Sequence, residues 1–131
     1  MNATDPSKTR TFCLIGHAGD GKTTLADSIL MAAGVTTRLG SVDDGSSFMN
    51  YLPEERARRI SVSTSIASFE RDGLLFNLLD TPGDANFEGE LHGGVAAADA
   101  ALLVVSAQDG PKLGTQRAYK IAREAHHTVL A

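Results

Sequence analysis

The chain has 131 residues, of which 42% are hydrophobic and 21% charged, and its formal net charge at pH 7 is −4. This length fits one domain or part of one. The negative charge gives no electrostatic reason to expect direct binding of DNA or another polyanion. No apolar run is long enough to cross a membrane. The single cysteine excludes an internal disulfide, so we expect a cytoplasmic protein from a reducing compartment.

The N-terminal part of the chain contains a complete phosphate-binding motif. Residues 1–9 are polar, and we predict a disordered leader there. A predicted strand over Thr11–Ile15 is followed by Gly16–Thr23, which reads Gly-His-Ala-Gly-Asp-Gly-Lys-Thr and matches G-x-x-x-x-G-K-[ST] in full. A helix is predicted over Lys22–Ala33. This order of strand, glycine loop and helix places a phosphate at a helix N-terminus, where the dipole favours anions.

The residue types of this loop indicate how it holds phosphate. Its glycines let backbone N–H groups curl around phosphate oxygens. Lys22 can reach the β- and γ-phosphates, and the Thr23 hydroxyl can hold Mg²⁺. A glycine-rich turn without a ligand is the alternative. The predicted nucleotide contacts in this segment are Gly16, His17, Ala18, Gly19, Asp20, Gly21, Lys22, Thr23 and Thr24.

A long connection and a hairpin follow the first helix. Gly34 to about Arg59 is rich in Gly, Ser and Asp, with a short helical turn predicted at Pro53–Arg59. A connection of this length is usually functional or mobile. Ser61–Arg71 is rich in β-branched residues and alternates in polarity, Asp72-Gly73 is a hairpin turn signal, and Leu74–Leu79 is the apolar return strand. We therefore predict that the second and third strands are antiparallel neighbours.

The basic run within this connection has two open interpretations. Arg56, Arg58 and Arg59 lie beside Glu54 and Glu55. The pattern is typical of a solvated surface turn held by salt bridges, and it equally fits a surface that contacts a partner.

A second constellation follows the third strand. Asp80-Thr81-Pro82-Gly83 fits D-x-x-G. At the carboxyl end of a strand, Asp80 lies where ligands gather in α/β sheets, and it can hold a Mg²⁺-bound water or the Thr23 hydroxyl. The Gly83 N–H can donate to a γ-phosphate that is present only in the triphosphate state, so the following segment can switch. The motif alone is weak, but after a phosphate loop it favours an NTPase switch over a small-molecule kinase.

The remaining elements complete the predicted architecture. A helix over Ala85–Ala98, a strand over Ala100–Val105, a helix over Lys112–Ala125 and a strand from Thr128 alternate along the chain. This predicts an α/β fold with a mostly parallel sheet, one antiparallel hairpin and helices on both faces. Because the sequence ends in a strand, we interpret it as the N-terminal part of a larger protein, truncated before the last strand and helices of the domain and before the base-recognition loop.

At these motifs the chain resembles translational GTPases, and specifically elongation factor G, over about Thr9–Ala131. The resemblance implies a P-loop G domain whose N-terminal part is residues 10–131, with switch I at about 35–62 and switch II at about 80–92. The segments that carry the resemblance are Gly21-Lys22-Thr23-Thr24, the loop Gly40–Ser47 with Asn50-Tyr51-Leu52, Asp80–Gly83 with Phe87, Ala98–Val105, and Gly110-Pro111-Lys112 with Gln116.

The resemblance implies GTP and GDP as ligands with Mg²⁺, hydrolysis of GTP to GDP and phosphate as a conformational switch, and action on the ribosome through the full-length protein. It implies Thr23, Ser61 and Asp80 as Mg²⁺ ligands and Lys22, Gly83 and Asp84 as the catalytic group. Asp80 and Gly83 join the predicted nucleotide contacts. Thr64 is an alternative to Ser61 if the switch register slips.

Several residues depart from the elongation factor G pattern and resemble a divergent subgroup, the elongation factor G-like (elongation factor G 2) proteins. Ser61 replaces a threonine, Arg59 a glycine and Gly19 an aspartate. Asp84 replaces the histidine that orients the attacking water. A carboxylate there can accept a proton, but it also brings negative charge near a γ-phosphate, and a plain loop aspartate is the other interpretation. The alternative functions are a guanine-nucleotide-binding module with weak or no ribosome-stimulated hydrolysis, and an unrelated phosphate-loop ATPase.

Overall fold

The computed structural model describes residues 5–125 and 127–131. Within these residues the strands are β1 (Thr9–Gly16), β2 (Ser65–Arg71), β3 (Leu74–Asp80), β4 (Ala100–Val104) and β5 (Thr128–Leu130). The α-helices are α1 (Lys22–Ala32), α2 (Pro53–Arg58), α3 (Glu88–Ala97) and α4 (Leu113–Glu124), and short 3-10 helices lie at Pro6–Lys8 and Ala85–Phe87. No helix in this part of the chain is both long and apolar enough to span a membrane.

The strands form one mixed sheet in the order β2-β3-β1-β4-β5. β1 pairs in parallel with β3 and β4, β4 pairs in parallel with β5, and β2 is antiparallel to β3. Both turn residues of the β2–β3 hairpin are left-handed, with φ of 53° at Asp72 and 76° at Gly73. Two successive residues with positive φ give the turn whose twist matches that of a hairpin. The predicted sheet and its antiparallel hairpin are confirmed.

Apolar residues on the two faces of the sheet bury separate helices. Successive side chains of β1 point to opposite faces, so Leu14 packs with α1 and Cys13 and Ile15 pack with α3 and α4. The prediction of helices on both faces is therefore confirmed. The face covered by α3 and α4 includes Cys13, Ile15, Leu79, Leu91, Val95, Ala118 and Ile121, and the face covered by α1 includes Leu14, Ala26, Leu30, Met49 and Leu78.

The boundaries that lie furthest from the sequence prediction are the starts of the second strand and of the helix after the third strand. The second strand was predicted from Ser61 but begins at Ser65, because the preceding N–H groups bond to side chains instead of to a neighbouring strand. Val62 N donates to Glu55 and Thr64 N donates to Glu90. The helix predicted from Ala85 begins as a 3-10 turn and becomes α-helical only at Glu88.

The predicted disordered leader over residues 1–9 is too long at its C-terminal end. Residues 1–4 lie outside the described residues. Pro6–Lys8 form a 3-10 turn, and β1 begins at Thr9 rather than at Thr11. The physical reason is local capping: the Asp5 carboxylate accepts hydrogen bonds from the Ser7 N–H at 2.9 Å and the Ser7 hydroxyl at 2.8 Å.

We expect Leu14→Ala to lower the free energy of unfolding of this chain by about 3 kcal/mol, since it leaves a cavity in the central strand. Leu14 is fully buried. Ile66→Ala is the matched control, because Ile66 lies on edge strand β2 with 68% of its surface exposed, and its effect should stay within about 0.5 kcal/mol. Urea denaturation measures both, and equal losses for the two variants would contradict the assigned core.

Candidate functional site

The segments singled out in the sequence meet at the carboxyl ends of β1 and β3. The parallel register pairs Leu14 with Asp80, so the loop after β1 and the motif that ends β3 lie side by side. A cavity of about 470 Å³ opens there. It is bordered by the phosphate loop, by the long connection and by the segment after β3, and its lining includes Ala18, Gly19, Gly21, Lys22, Thr23, Thr24, Gly40, Asn50, Arg59, Ser61, Gly83 and Asp84.

The loop Gly16–Thr23 has the conformation that its glycines permit. Gly19 and Gly21 are left-handed, with φ of 82° and 96°, where any other residue would be strained. Lys22 is 6% exposed and arches back over the loop, its Nζ donating to the carbonyl of His17 at 2.8 Å and to that of Gly16 at 3.3 Å. Burial lowers the pKa of Lys22, and the nearby charges of Asp80 and Asp20 oppose that shift.

Gly83 lies against this loop at a distance that only glycine allows. A Cβ built on Gly83 would lie 2.5 Å from the backbone nitrogen of Ala18 and 2.5 Å from Lys22 Nζ. Real Cβ atoms do not approach so closely, so a side chain here would push the two segments apart. The backbone of the D-x-x-G motif is therefore held beside the phosphate loop.

The three predicted metal ligands converge below the loop. Thr23 Oγ1 donates to Asp80 Oδ2 at 2.6 Å and lies 3.2 Å from Ser61 Oγ. Ser61 Oγ in turn donates to Asn50 Oδ1 at 3.0 Å. Asp80 Oδ1 is buried and has no hydrogen-bond partner among the described residues. Two hydroxyls and a carboxylate form the hard oxygen set that Mg²⁺ prefers, so these residues fit the ion.

The charge state of Asp80 reflects its burial. Desolvation raises the pKa of Asp80 to about 6, while the Thr23 hydrogen bond and the Lys22 charge oppose that rise.

Thr64, the alternative ligand, does not lie in this oxygen cluster. Its hydroxyl donates to the carbonyl of Glu90 at 3.1 Å, and its N–H donates to the Glu90 carboxylate at 2.7 Å.

Two buried acids that the sequence reasoning missed hold the long connection over the site. Glu55, which the sequence placed in a surface turn, is fully buried. Its carboxylate accepts from Leu52 N at 3.3 Å, Val62 N at 3.0 Å and Ser63 N at 3.4 Å. Asp27 of α1 is 1% exposed and accepts from Phe48 N at 3.1 Å. The one available signal was the position of Asp27, a turn after Thr23 on the same helix face.

Two of the residues that depart from the resembled pattern have defined local roles. Asp84 lines the cavity, and its Oδ1 accepts from Asn86 N at 2.8 Å as the N-cap of the 3-10 helix. Arg59 also lines the cavity and ends α2 in a left-handed conformation, with φ of 56°. Its N–H donates to the Glu55 carbonyl, which is a standard way to end a helix.

The remaining predicted contacts lie in the loop but do not line the cavity. Gly16 passes so close to the Val104 carbonyl that a Cβ would collide with it. His17 Nδ1 accepts from Gly114 N at 3.2 Å. The Asp20 carboxylate pairs with Lys112 at 2.9 Å. His17 and Asp20 are therefore engaged by the start of α4, a connection that the sequence did not indicate.

Comparison with known proteins identifies relatives of this chain among translation factors. An elongation factor G-like protein from Mycobacterium tuberculosis is 44% identical over 108 residues, covering 82% of this chain and 15% of that protein. A mitochondrial ribosome-releasing factor 2 from Schizosaccharomyces pombe is 37% identical over 113 residues, covering 86% of this chain and 14% of that protein. The chain thus spans about one seventh of the length of these relatives.

A crystal structure of a protein from Thermus thermophilus superposes with a TM-score of 0.85 at 43% identity, covering 88% of this chain and 17% of that one. The family described as the elongation factor Tu GTP binding domain matches residues 7–131. These matches confirm the fold and the resemblance predicted from the sequence. The chain belongs to the elongation factor Tu GTP-binding domain family and is similar within it to elongation factor G-like proteins.

Proposed function

We propose that this chain is the N-terminal part of the G domain of an elongation factor G-like protein, which binds GTP and GDP with Mg²⁺ and hydrolyses GTP as a conformational switch. The observation that carries the proposal is the convergence of Thr23, Ser61 and Asp80. These oxygens come from three separate segments and meet below a phosphate loop. A loop that only bound phosphate would not need Ser61, which the long connection brings in.

In this proposal each residue has a distinct task. Backbone N–H groups of the loop and the Lys22 ammonium hold the phosphates. Thr23, Ser61 and Asp80 would hold Mg²⁺, which when bound neutralises charge on the β- and γ-phosphate oxygens. The Gly83 N–H donates to the γ-phosphate. The close approach of Gly83 to Ala18 and Lys22 favours this hydrogen bond. Loss of that phosphate would release both the Ser61 and the Gly83 segments.

The contacts of Glu55 explain how Ser61 is kept in place. The segment that carries Ser61 has no sheet ladder of its own, and its N–H groups at Val62 and Ser63 bond to the Glu55 carboxylate. Hydrogen bonds to an ionised group are stronger than neutral ones. Glu55 therefore serves as a positioning residue for switch I, which we assign to residues 35–62 as the sequence predicts.

The role of Asp84 separates two candidate functions. As a general base in the proposed hydrolysis, its carboxylate would accept a proton from the attacking water. Its hydrogen bond to Asn86 N favours the second candidate, a guanine-nucleotide-binding module in which Asp84 only caps the 3-10 helix and hydrolysis is weak. Single-turnover cleavage of GTP by the full-length protein, with and without ribosomes, tests the proposed function. Ribosome-stimulated cleavage supports it, and its absence supports the second candidate.

The partner and the location are also proposals. The Schizosaccharomyces pombe relative is named as a mitochondrial ribosome-releasing factor 2, and this chain is 37% identical to it over 113 residues. We propose that the full-length protein acts on the ribosome and is located in the cytoplasm. The arginines of α2 and its C-cap are a candidate contact, since Arg58 and Arg59 are exposed.

We expect Asp84→Asn to slow single-turnover GTP cleavage by about 100-fold, because asparagine cannot accept the proton. Asparagine still caps a helix well, so the 3-10 turn should persist. Rapid-quench measurement of γ-phosphate release in the full-length protein checks this. An unchanged rate would assign Asp84 to capping alone.

We expect Glu55→Gln to reduce the hydrogen-exchange protection of the Val62 and Ser63 amides by about 10-fold, since a neutral amide accepts these bonds less strongly. GTP cleavage should slow in the same variant because Ser61 is less often in place. Glu54→Gln is the matched control, because Glu54 is the exposed neighbour. Equal protection in the two variants would show that Glu55 does not position the segment that carries Ser61.

A further inference from the structure

The phosphate loop is held from outside by the segment that leads into α4. Lys112 Nζ lies 2.9 Å from Asp20 Oδ1 and 2.8 Å from Asp109 Oδ2. Two residues later, Gly114 N donates to His17 Nδ1 at 3.2 Å, and a Cβ on Gly114 would collide with the His17 ring. Two loop residues are thus fixed by two closely spaced contacts from one segment.

The buried charge of the Asp20 carboxylate is compensated by this segment. Its side chain is fully buried between the two left-handed glycines of a loop that has to accept a polyphosphate. Its Oδ2 has no hydrogen-bond partner within residues 5–125 and 127–131, so Oδ1 and Lys112 provide the compensation. An uncompensated carboxylate here would repel phosphate and would attract the Lys22 ammonium, whose pKa Asp20 already helps to raise against the effect of burial.

Lys112 is itself held in a charged, oriented state. The hydrogen bonds to Asp109 and then to Asp20 raise the pKa of Lys112. Asp109 is fixed in turn, since its N–H bonds to the Ser106 hydroxyl at 3.2 Å and its Oδ2 accepts from that hydroxyl at 3.3 Å. The Lys112 N–H donates to Thr115 Oγ1 at 3.0 Å and anchors the start of α4. The hydrogen bonds of Asp109 and of the Lys112 backbone therefore fix the position from which the ammonium reaches Asp20.

We propose that Lys112 is a positioning residue of the nucleotide site: it neutralises Asp20 and keeps the phosphate loop in the shape that receives the nucleotide phosphates, so that Lys22 stays available to them. The inference rests on the proposed binding of GTP and GDP. It adds the connection between β4 and α4 to the site, although this connection lies outside both predicted switches.

The test measures the dissociation constants of fluorescent GDP and GTP for the full-length protein in Mg²⁺. Lys112→Met should weaken both by about 10-fold, as expected for loss of a charged hydrogen bond that leaves a buried carboxylate unpaired. Asp20→Asn combined with Lys112→Met should recover most of the affinity, because the repulsive charge is gone. Lys112→Arg should keep it. Lys120→Met on the same helix is the control, since Lys120 is 77% exposed and its only ion pair is with Glu124 at 3.8 Å within the described part of the chain.

The outcomes distinguish failure of the proposed nucleotide binding from failure of the proposed role of Lys112. A wild-type protein that binds neither nucleotide overturns the proposed function, and this inference with it. A wild-type protein that binds, together with Lys112→Met that binds equally well, overturns only the role of Lys112. Failure of the double variant to regain affinity while its melting temperature matches the wild type would also overturn it, because a charge-compensation role requires recovery. If Lys112→Met alone proves too unstable to purify, the double variant still tests the inference, because a folded double variant that binds nucleotide weakly would overturn it.

Discussion

The hydrogen bond between the Thr23 hydroxyl and the Asp80 carboxylate, 2.6 Å long, joins two segments that lie 57 residues apart in sequence. It depends on the parallel pairing of β1 with β3, which sets Leu14 opposite Asp80. A shift of one residue in that register would turn the side chains of β3 to the wrong faces. The core of the sheet and the oxygen cluster of the site therefore follow from the same strand alignment.

The site is surrounded by buried acids, and each of them has a partner that compensates for its burial. Asp80 accepts from Thr23, Glu55 accepts from backbone N–H groups, Asp27 accepts from Phe48 N, and Asp20 pairs with Lys112. Burying an acid is costly unless its charge is neutralised or hydrogen-bonded. The acids are placed where they fix irregular backbone: the long connection, the loop and the residues around Ser61. This explains how segments without sheet or long helix structure are nonetheless held around one cavity.

Much of this arrangement was predictable from the sequence, because its signals are local. The phosphate loop is specified by Gly19, Gly21 and Lys22. Gly19 and Gly21 are left-handed, as are Asp72 and Gly73 of the hairpin, and glycine and aspartate tolerate this conformation. The convergence of Thr23 with Asp80 followed from strand adjacency. The roles of Glu55 and Lys112 did not, since each depends on which side chain a loop folds over, and nothing in a local pattern encodes that. The start of the second strand was wrong for the same reason: Ser61–Thr64 has β-strand composition, but its N–H groups bond to Glu55 and Glu90.

Ser61 lies beside Thr23 in the structure, and we propose that it holds Mg²⁺ together with Thr23 and Asp80 while a γ-phosphate is bound and is released when that phosphate is lost. The most direct measurement compares the affinities of wild-type and Ser61→Ala full-length protein for GDP and for a non-hydrolysable GTP analogue in Mg²⁺. The substitution should weaken binding of the GTP analogue by about 10-fold, as for loss of a charge-assisted contact, and should leave GDP binding unchanged. Equal effects on the two nucleotides, or no effect on either, would contradict the proposed role of Ser61.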